Sequence, residues 1–245
     1  KTCENTLRDL QIAAANQLAL YCEAMGINFY NVRTGVDSLK GEGITRAMLW
    51  PGAGVGGHCL TKDTYHLERG MHMLGGDRLD YPENEESLYV LARHINDFMP
   101  HHMLTLTKDA LHTGSLKGKK IALLGWAFMA NTNDARNTPS EAYYHLAKDE
   151  GAKISIHDVW VKSFPEIPDL ELTRTIGETV KGSDVVIVLT NHREYTSLDA
   201  ASLKAMTGKE HPAIIDGRNV ITPDAFLDAG WIYRGIGRGD KNNLS

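Results

Sequence analysis

Residues 121–125 read IALLG, a short apolar run that stops on a glycine. Comparable runs follow at KISIHD (153–158), DVVIVLT (184–190) and AIIDG (213–217), separated by segments with helical periodicity. Unbroken apolar runs of this length are the mark of strands covered on both faces, and strands alternating with helices build a parallel sheet. The back half of the chain therefore reads as a Rossmann-like, doubly wound α/β unit. Ligands of such sheets sit at the carboxyl ends of the strands, which puts the segment GWAFMANTNDARNTPS (125–140) at the binding edge. At its end Thr138 and Pro139, with Glu141 just beyond, predict a helix start of the capping-box kind.

The front half is helical. Residues 1–25 carry Leu7, Leu10, Ala14, Leu18 and Tyr21 at helical spacing and stop at Gly26. Further helices are predicted over about 28–39, 61–74 and 85–113, the last strained or interrupted by Pro100. The change of period falls in TGSLKG (113–118), so the expected organisation is a helical dimerisation region over 1–115 and the α/β unit over 116–245. The chain opens inside a helical pattern without an initiator methionine, which predicts a further segment upstream. The apolar stripe of the first helix suits the pairing of two subunits, and a homodimer is expected.

Composition narrows the function. With 42% hydrophobic and 23% charged residues over 245 positions, the chain can bury a real core. A net charge of -5 leaves no basic footprint for nucleic acid, and no apolar run approaches the roughly 18 residues of a membrane span. Three scattered cysteines, Cys3, Cys22 and Cys59, with no signal-like start, point to a reducing, cytoplasmic setting. No cysteine and histidine spacing suggests a metal site.

The second informative stretch is PGAGVGGHCLTKD (51–63). Gly52, Gly54 and Gly57 have G-x-G-x-x-G spacing, but no apolar strand runs in and no plain apolar helix runs out, so a dinucleotide loop is not the reading. The stretch instead brings a flexible backbone to Cys59, with Lys62 adding positive charge and Asp63 either capping a helix or organising water. A buried, inert thiol beside a helix cap is the competing reading.

Taken with its surroundings, GVGGHCLTKD resembles the nucleophile motif of the UDP-glucose/GDP-mannose dehydrogenase family. KTCENT (1–6) is similar to that family's lysine-x-x-x-asparagine on a long central helix. GWAF with DARNTPS, and IIDGRNV (214–220), resemble two later family motifs. These four matches in order span residues 1–220. The resemblance implies NAD as cofactor, held by a Rossmann domain upstream of this chain, and oxidation at C6 of a nucleotide sugar to the carboxylate. The histidine of GGHC leans toward members acting on UDP-N-acetylhexosamines such as UDP-N-acetylmannosamine; other N-acetylhexosamines and UDP-glucose stay open.

By the same resemblance Cys59 is the nucleophile, Lys1 and Asn5 stabilise charge on the C6 oxygen, and Asp63 is base or water organiser. Leu49, Trp50, Gly56, Phe128 and Arg218 line the substrate site, with Arg46 reaching a neighbouring subunit's site. Lys62 and Arg136 face the cofactor, although a salt bridge of Arg136 with Asp134 is an equal alternative. The family's lysine after alanine-phenylalanine is Met129 here. Two other functions remain open from sequence: a sugar-nucleotide-binding module without catalysis, and an unrelated thiol acyltransferase or hydrolase.

Overall fold

The computed structural model describes residues 1–38, 48–74, 86–167 and 170–242. Four helices come first: α1 (Thr2–Ala24), α2 (Phe29–Asp37), α3 (Cys59–Leu74) and α4 (Leu88–Ala110). Then follow β1 (Lys120–Leu124), α5 (Pro139–Asp149), β2 (Lys153–His157), α6 (Ile176–Val180), β3 (Val185–Val188), α7 (Ala200–Thr207), β4 (Ala213–Asp216), α8 (Pro223–Asp228), β5 (Ile232–Gly235) and α9 (Gly239–Asn242). The strands form one parallel sheet in the order β2-β1-β3-β4-β5. Among the described residues no helix is long and apolar enough to cross a membrane.

Alternation along the strands splits the core in two. Ile121, Leu123, Val185, Ile187 and Ile215 point to one face and pack with Ala15 and Ala19 of α1, Met99, Met103 and Ala110 of α4, and Tyr143 of α5. Ala122, Leu124, Val186, Val188 and Ile214 point to the other, against Val180, Leu203, Phe226 and Trp231. The helical front half is thus seated on one face of the sheet, and its loops reach the carboxyl ends of the strands.

Four local expectations are corrected. The stripe Leu7, Leu10, Ala14, Leu18, Tyr21 is not the inward face of α1: Leu7 and Tyr21 are 56% and 58% exposed. The buried side instead carries Asn5, Asp9, Asn16, Ala19 and Cys22, because its polar groups find partners on α3, α4 and the loop between α2 and α3. Pro100 does not interrupt α4, which runs through it with Pro100 itself buried among Met99, Met103 and Leu104; tertiary packing overrides the missing N–H. Helix α3 starts at Cys59 itself rather than two residues later. At α5 the Thr138 hydroxyl accepts the Ser140 N–H as predicted for an N-cap, but Glu141 faces His145 rather than closing a capping box.

Candidate active site

The loop 51–58 is fixed from three sides. Gly52 N–H donates to Asn16 Oδ1 at 2.9 Å, Ala53 N–H to the Gly217 carbonyl at 3.1 Å, and Gly57 N–H to the Arg136 carbonyl at 2.8 Å. Its glycines serve close approach. A Cβ on Gly56 would stand 2.4 Å from the Phe128 Cβ, one on Gly57 2.9 Å from the Phe128 ring, and one on Gly52 2.7 Å from an Arg218 guanidinium nitrogen. Gly57 also has φ +85°, a conformation that glycine adopts freely. The glycines therefore let the loop lie directly on the chain that leaves β1 and β4.

Behind the loop runs a series of amides. Asn16 Nδ2 donates to Asn96 Oδ1 at 2.9 Å, and Asn96 Nδ2 donates to Asp9 Oδ1 at 2.8 Å. Asp9 also receives the Arg93 guanidinium at 2.7 Å and the Thr64 hydroxyl at 3.2 Å. This buried network ties α1, α3 and α4 together.

The loop delivers Cys59, exposed, as the first residue of α3. Asp63 lies four residues on, on the same face of the helix. It is buried and is not a cap; its carboxylate accepts Asn5 Nδ2 at 2.7 Å and Lys62 Nζ at 3.1 Å. The Asn5 hydrogen bond first, and then that of Lys62, hold the Asp63 carboxyl below the usual range. Lys1 does not join this group: its ammonium is exposed and paired with Glu4 at 2.9 Å. Arg136 makes the two-pronged contact with Asp134, at 2.8 and 2.5 Å, that was the structural alternative to a cofactor role.

Beside the loop opens a cleft of about 700 Å³. Leu49, Trp50, Gly56, Phe128 and Arg218 all line it. Arg46 lies outside the described residues. Phe128, Asn191 and Arg218 come from the segments that leave β1, β3 and β4, the carboxyl edge where an open sheet binds its ligands. A second cleft of about 690 Å³ shares Gly54 and Val55 and opens between Lys62, Asn137 and Thr138.

Several residues that shape the site escaped sequence reasoning. Arg8, Gln11 and Ile12 of α1 line the first cleft. Trp50 is held at its rim by a stack in which the Arg33 guanidinium lies 4.1 Å from the Trp50 ring centre, Tyr30 lies 5.7 Å on, and Arg238 covers Tyr30 at 4.7 Å. Asp216 accepts the N–H groups of Arg218, Val220 and Ile221, which shapes the turn presenting Arg218. Burial pushes the Asp216 carboxyl up against those donors. Asp158 does the same work after β1: it accepts from Trp126 N–H, Ala127 N–H and His192 Nε2, and His192 Nδ1 in turn accepts the Asn131 N–H. Burial acts to raise the Asp158 carboxyl, but His192 and the backbone donors hold it at about 2. The available signal was position alone, since both aspartates end or follow apolar strand runs.

The sequence profile of the UDP-glucose/GDP-mannose dehydrogenase central domain matches residues 1–83, and that of the family's UDP binding domain matches residues 122–223. The chain belongs to the UDP-glucose/GDP-mannose dehydrogenase family. Among relatives, a UDP-N-acetyl-D-mannosamine dehydrogenase of Pyrococcus horikoshii is 33% identical over 98% of this chain and 51% of its own length. A UDP-glucose 6-dehydrogenase of Bacillus subtilis is 31% identical over 97% and 52%. Among solved structures, the NDP-N-acetyl-D-galactosaminuronic acid dehydrogenase of Methanosarcina mazei Go1 superposes with a TM-score of 0.95 at 57% identity, covering all of this chain and 51% of that one. The chain thus spans about half the length of the family members it matches.

Proposed function

We propose that this chain is the nucleotide-sugar-binding and thiol-bearing part of an NAD-dependent dehydrogenase that oxidises C6 of a UDP-N-acetylhexosamine to the carboxylate. What supports this reading is the Cys59 thiol standing one turn of α3 from the Asn5–Asp63 pair, at the end of the loop that walls the cleft. In it, residues 1–115 pair two subunits through the exposed apolar side of α1, residues 116–245 hold the UDP-sugar, and Arg46 reaches the neighbouring site. The setting is cytoplasmic.

The chain's residues fit only one edge of NAD. The segment after β1 runs from Gly125 to Thr138 before its helix begins, with no glycine repeat, so it cannot grip a pyrophosphate as a dinucleotide loop does. Lys62, on α3, and Arg136, in the segment after β1, are exposed and suit contact with a cofactor brought from elsewhere, Arg136 by releasing Asp134. When bound, NAD supplies the hydride acceptor.

The thiol accounts for a four-electron oxidation at one site. Once the C6 alcohol has become an aldehyde, the Cys59 sulfur bonds to that carbon and its proton passes to the oxygen, giving a thiohemiacetal. Loss of a hydride and the hydroxyl proton leaves a thioester, and water cleaves the C–S bond to release the carboxylate and restore the thiol. Asp63, kept ionised by Asn5 and Lys62, takes the proton from that water. Asn5 and Lys1 stabilise the C6 oxyanion; Lys1 reaches it by leaving Glu4, an exposed partner that holds it weakly.

On the sugar, GGHC favours UDP-N-acetylmannosamine. The 57% identical Methanosarcina protein is named for an N-acetylgalactosaminuronic acid, so UDP-N-acetylgalactosamine is the other substrate to compare. The test is stoichiometry in the full-length polypeptide: two NAD reduced per sugar oxidised, with Cys59→Ala unable to form the acid. One NAD per sugar, or near-normal acid from Cys59→Ala, overturns the scheme.

A further inference from the structure

Cleft walls are read most directly from their charges. Of the described residues lining the 700 Å³ cleft, only Arg8 and Arg218 are charged, and there is no carboxylate among them. Met129, half exposed on the same wall, contributes no charge. Neither guanidinium is engaged in a hydrogen bond or ion pair among the described residues. Arg8 is exposed, with only a long-range attraction to Glu4, while Arg218 is half-buried beside Gly52. The two stand on different elements, Arg8 on α1 and Arg218 on the turn after β4.

Position along α1 gives Arg8 its place on a ligand. It lies three residues beyond Asn5, about 4.5 Å up the helix axis and on an adjoining face, with Gln11 and Ile12 the next wall residues about a turn further. If the carbon to be oxidised sits at Asn5, Asp63 and Cys59, the hexose ring occupies the space between, and the group on the opposite end of the ring comes level with Arg8. In a nucleotide sugar that group is the diphosphate.

We infer that Arg8 is a phosphate-binding residue of this site, forming with Arg218 a two-arginine clamp on the diphosphate. A planar guanidinium can bond phosphate oxygens in pairs, so two of them from different elements fix both the charge and the orientation of the group. Arg8 thereby supplies a positive charge that Met129 cannot. The inference rests on the nucleotide-sugar reading of the cleft.

The experiment measures binding of UDP and of uridine to the full-length polypeptide by calorimetry, for the parent, Arg8→Gln, Arg218→Met, and Arg8→Gln with Met129→Lys. Arg8 is exposed on a helix, so its replacement leaves folding intact. The expected result is a loss of about tenfold to a hundredfold in UDP affinity for Arg8→Gln, with uridine affinity unchanged and part of the loss recovered by Met129→Lys. Parent-like UDP binding by Arg8→Gln, with Arg218→Met weakened, overturns the role of Arg8 and leaves the cleft reading standing. An Arg8→Gln loss equal for UDP and uridine overturns the phosphate assignment. Parent-like UDP binding by both Arg8→Gln and Arg218→Met overturns the nucleotide-sugar reading as well.

Discussion

The Asn5 side-chain amide donates to the Asp63 carboxylate at 2.7 Å, joining the first turns of two helices whose residues stand 58 positions apart. That bond is the largest cause of the lowered Asp63 pKa, ahead of Lys62. Removing the donor lets the carboxyl rise toward its ordinary range, so a reaction that needs ionised Asp63 fails at higher pH. Asn5→Ala is expected to move the acid limb of the pH–rate profile upward in the full-length enzyme, and Asp63→Asn to abolish it with most of the activity. An unmoved acid limb in Asn5→Ala means that Asp63 is not the group titrating.

The glycines of the loop lie against other atoms, and the glycine inside α3 does not. A Cβ at Gly56 would meet Phe128 at 2.4 Å and the Asn137 carbonyl at 3.1 Å, whereas one at Gly70, within α3, meets nothing within 4 Å. Gly56→Ala is expected to cost about 1–3 kcal/mol through overpacking and to weaken UDP binding, since loop and Phe128 share the cleft wall. Gly70→Ala is expected to be stabilising by about 0.5–1 kcal/mol, as alanine replaces glycine inside a helix. Urea midpoints of the two variants check the contrast.

Asp158 makes stability depend on acid. Its folded pKa of about 2 lies below an unfolded value of about 3.9, so the folded state gains fully above that higher value and loses the gain as pH falls through the folded one. The contribution is on the order of 2 kcal/mol at neutral pH. Asp158→Asn is expected to be destabilised at pH 7 and to lack that part of the stability loss between about pH 5 and pH 2. Denaturant titrations across that range measure it, and parallel curves for parent and variant contradict it.

How much of this was readable beforehand depended on whether the signal was local. Strands β1, β3 and β4 are covered on both faces and so appear as apolar runs, while β2, at the sheet edge and partly exposed, shows itself by alternating apolar residues; the loop and the segments leaving β1 and β4 were legible from adjacent letters. Strand β5 was not, because Arg234 breaks its run; that charge is tolerated inside by an ion pair at 2.6 Å with Asp109 of α4. The inward face of α1 was misread for a related reason. Asn16 is buried because Asn96, 80 positions away, meets it, and periodicity weighs each residue's own hydropathy without its partner. Arg8 was hidden likewise, since only the packed helix shows which exposed residue faces a cleft.

The amides behind the loop form a line with a direction: Gly52 N–H to Asn16, Asn16 to Asn96, Asn96 to Asp9. Each side chain accepts at one end and donates at the other, so the line runs one way and terminates on an anion. Turning either asparagine over would oppose donor to donor or acceptor to acceptor. The two rotational states of each amide, nearly equal in shape, are therefore reduced to one by the neighbour on either side. An aspartate at position 16, the same size as asparagine, still receives the Gly52 N–H but faces the Asn96 oxygen with no hydrogen to give, at a cost of about 1–3 kcal/mol or more for a charged group. At this point in the protein a single proton-bearing nitrogen, rather than volume or hydrophobicity, decides which side chain the backbone of the glycine loop can rest upon.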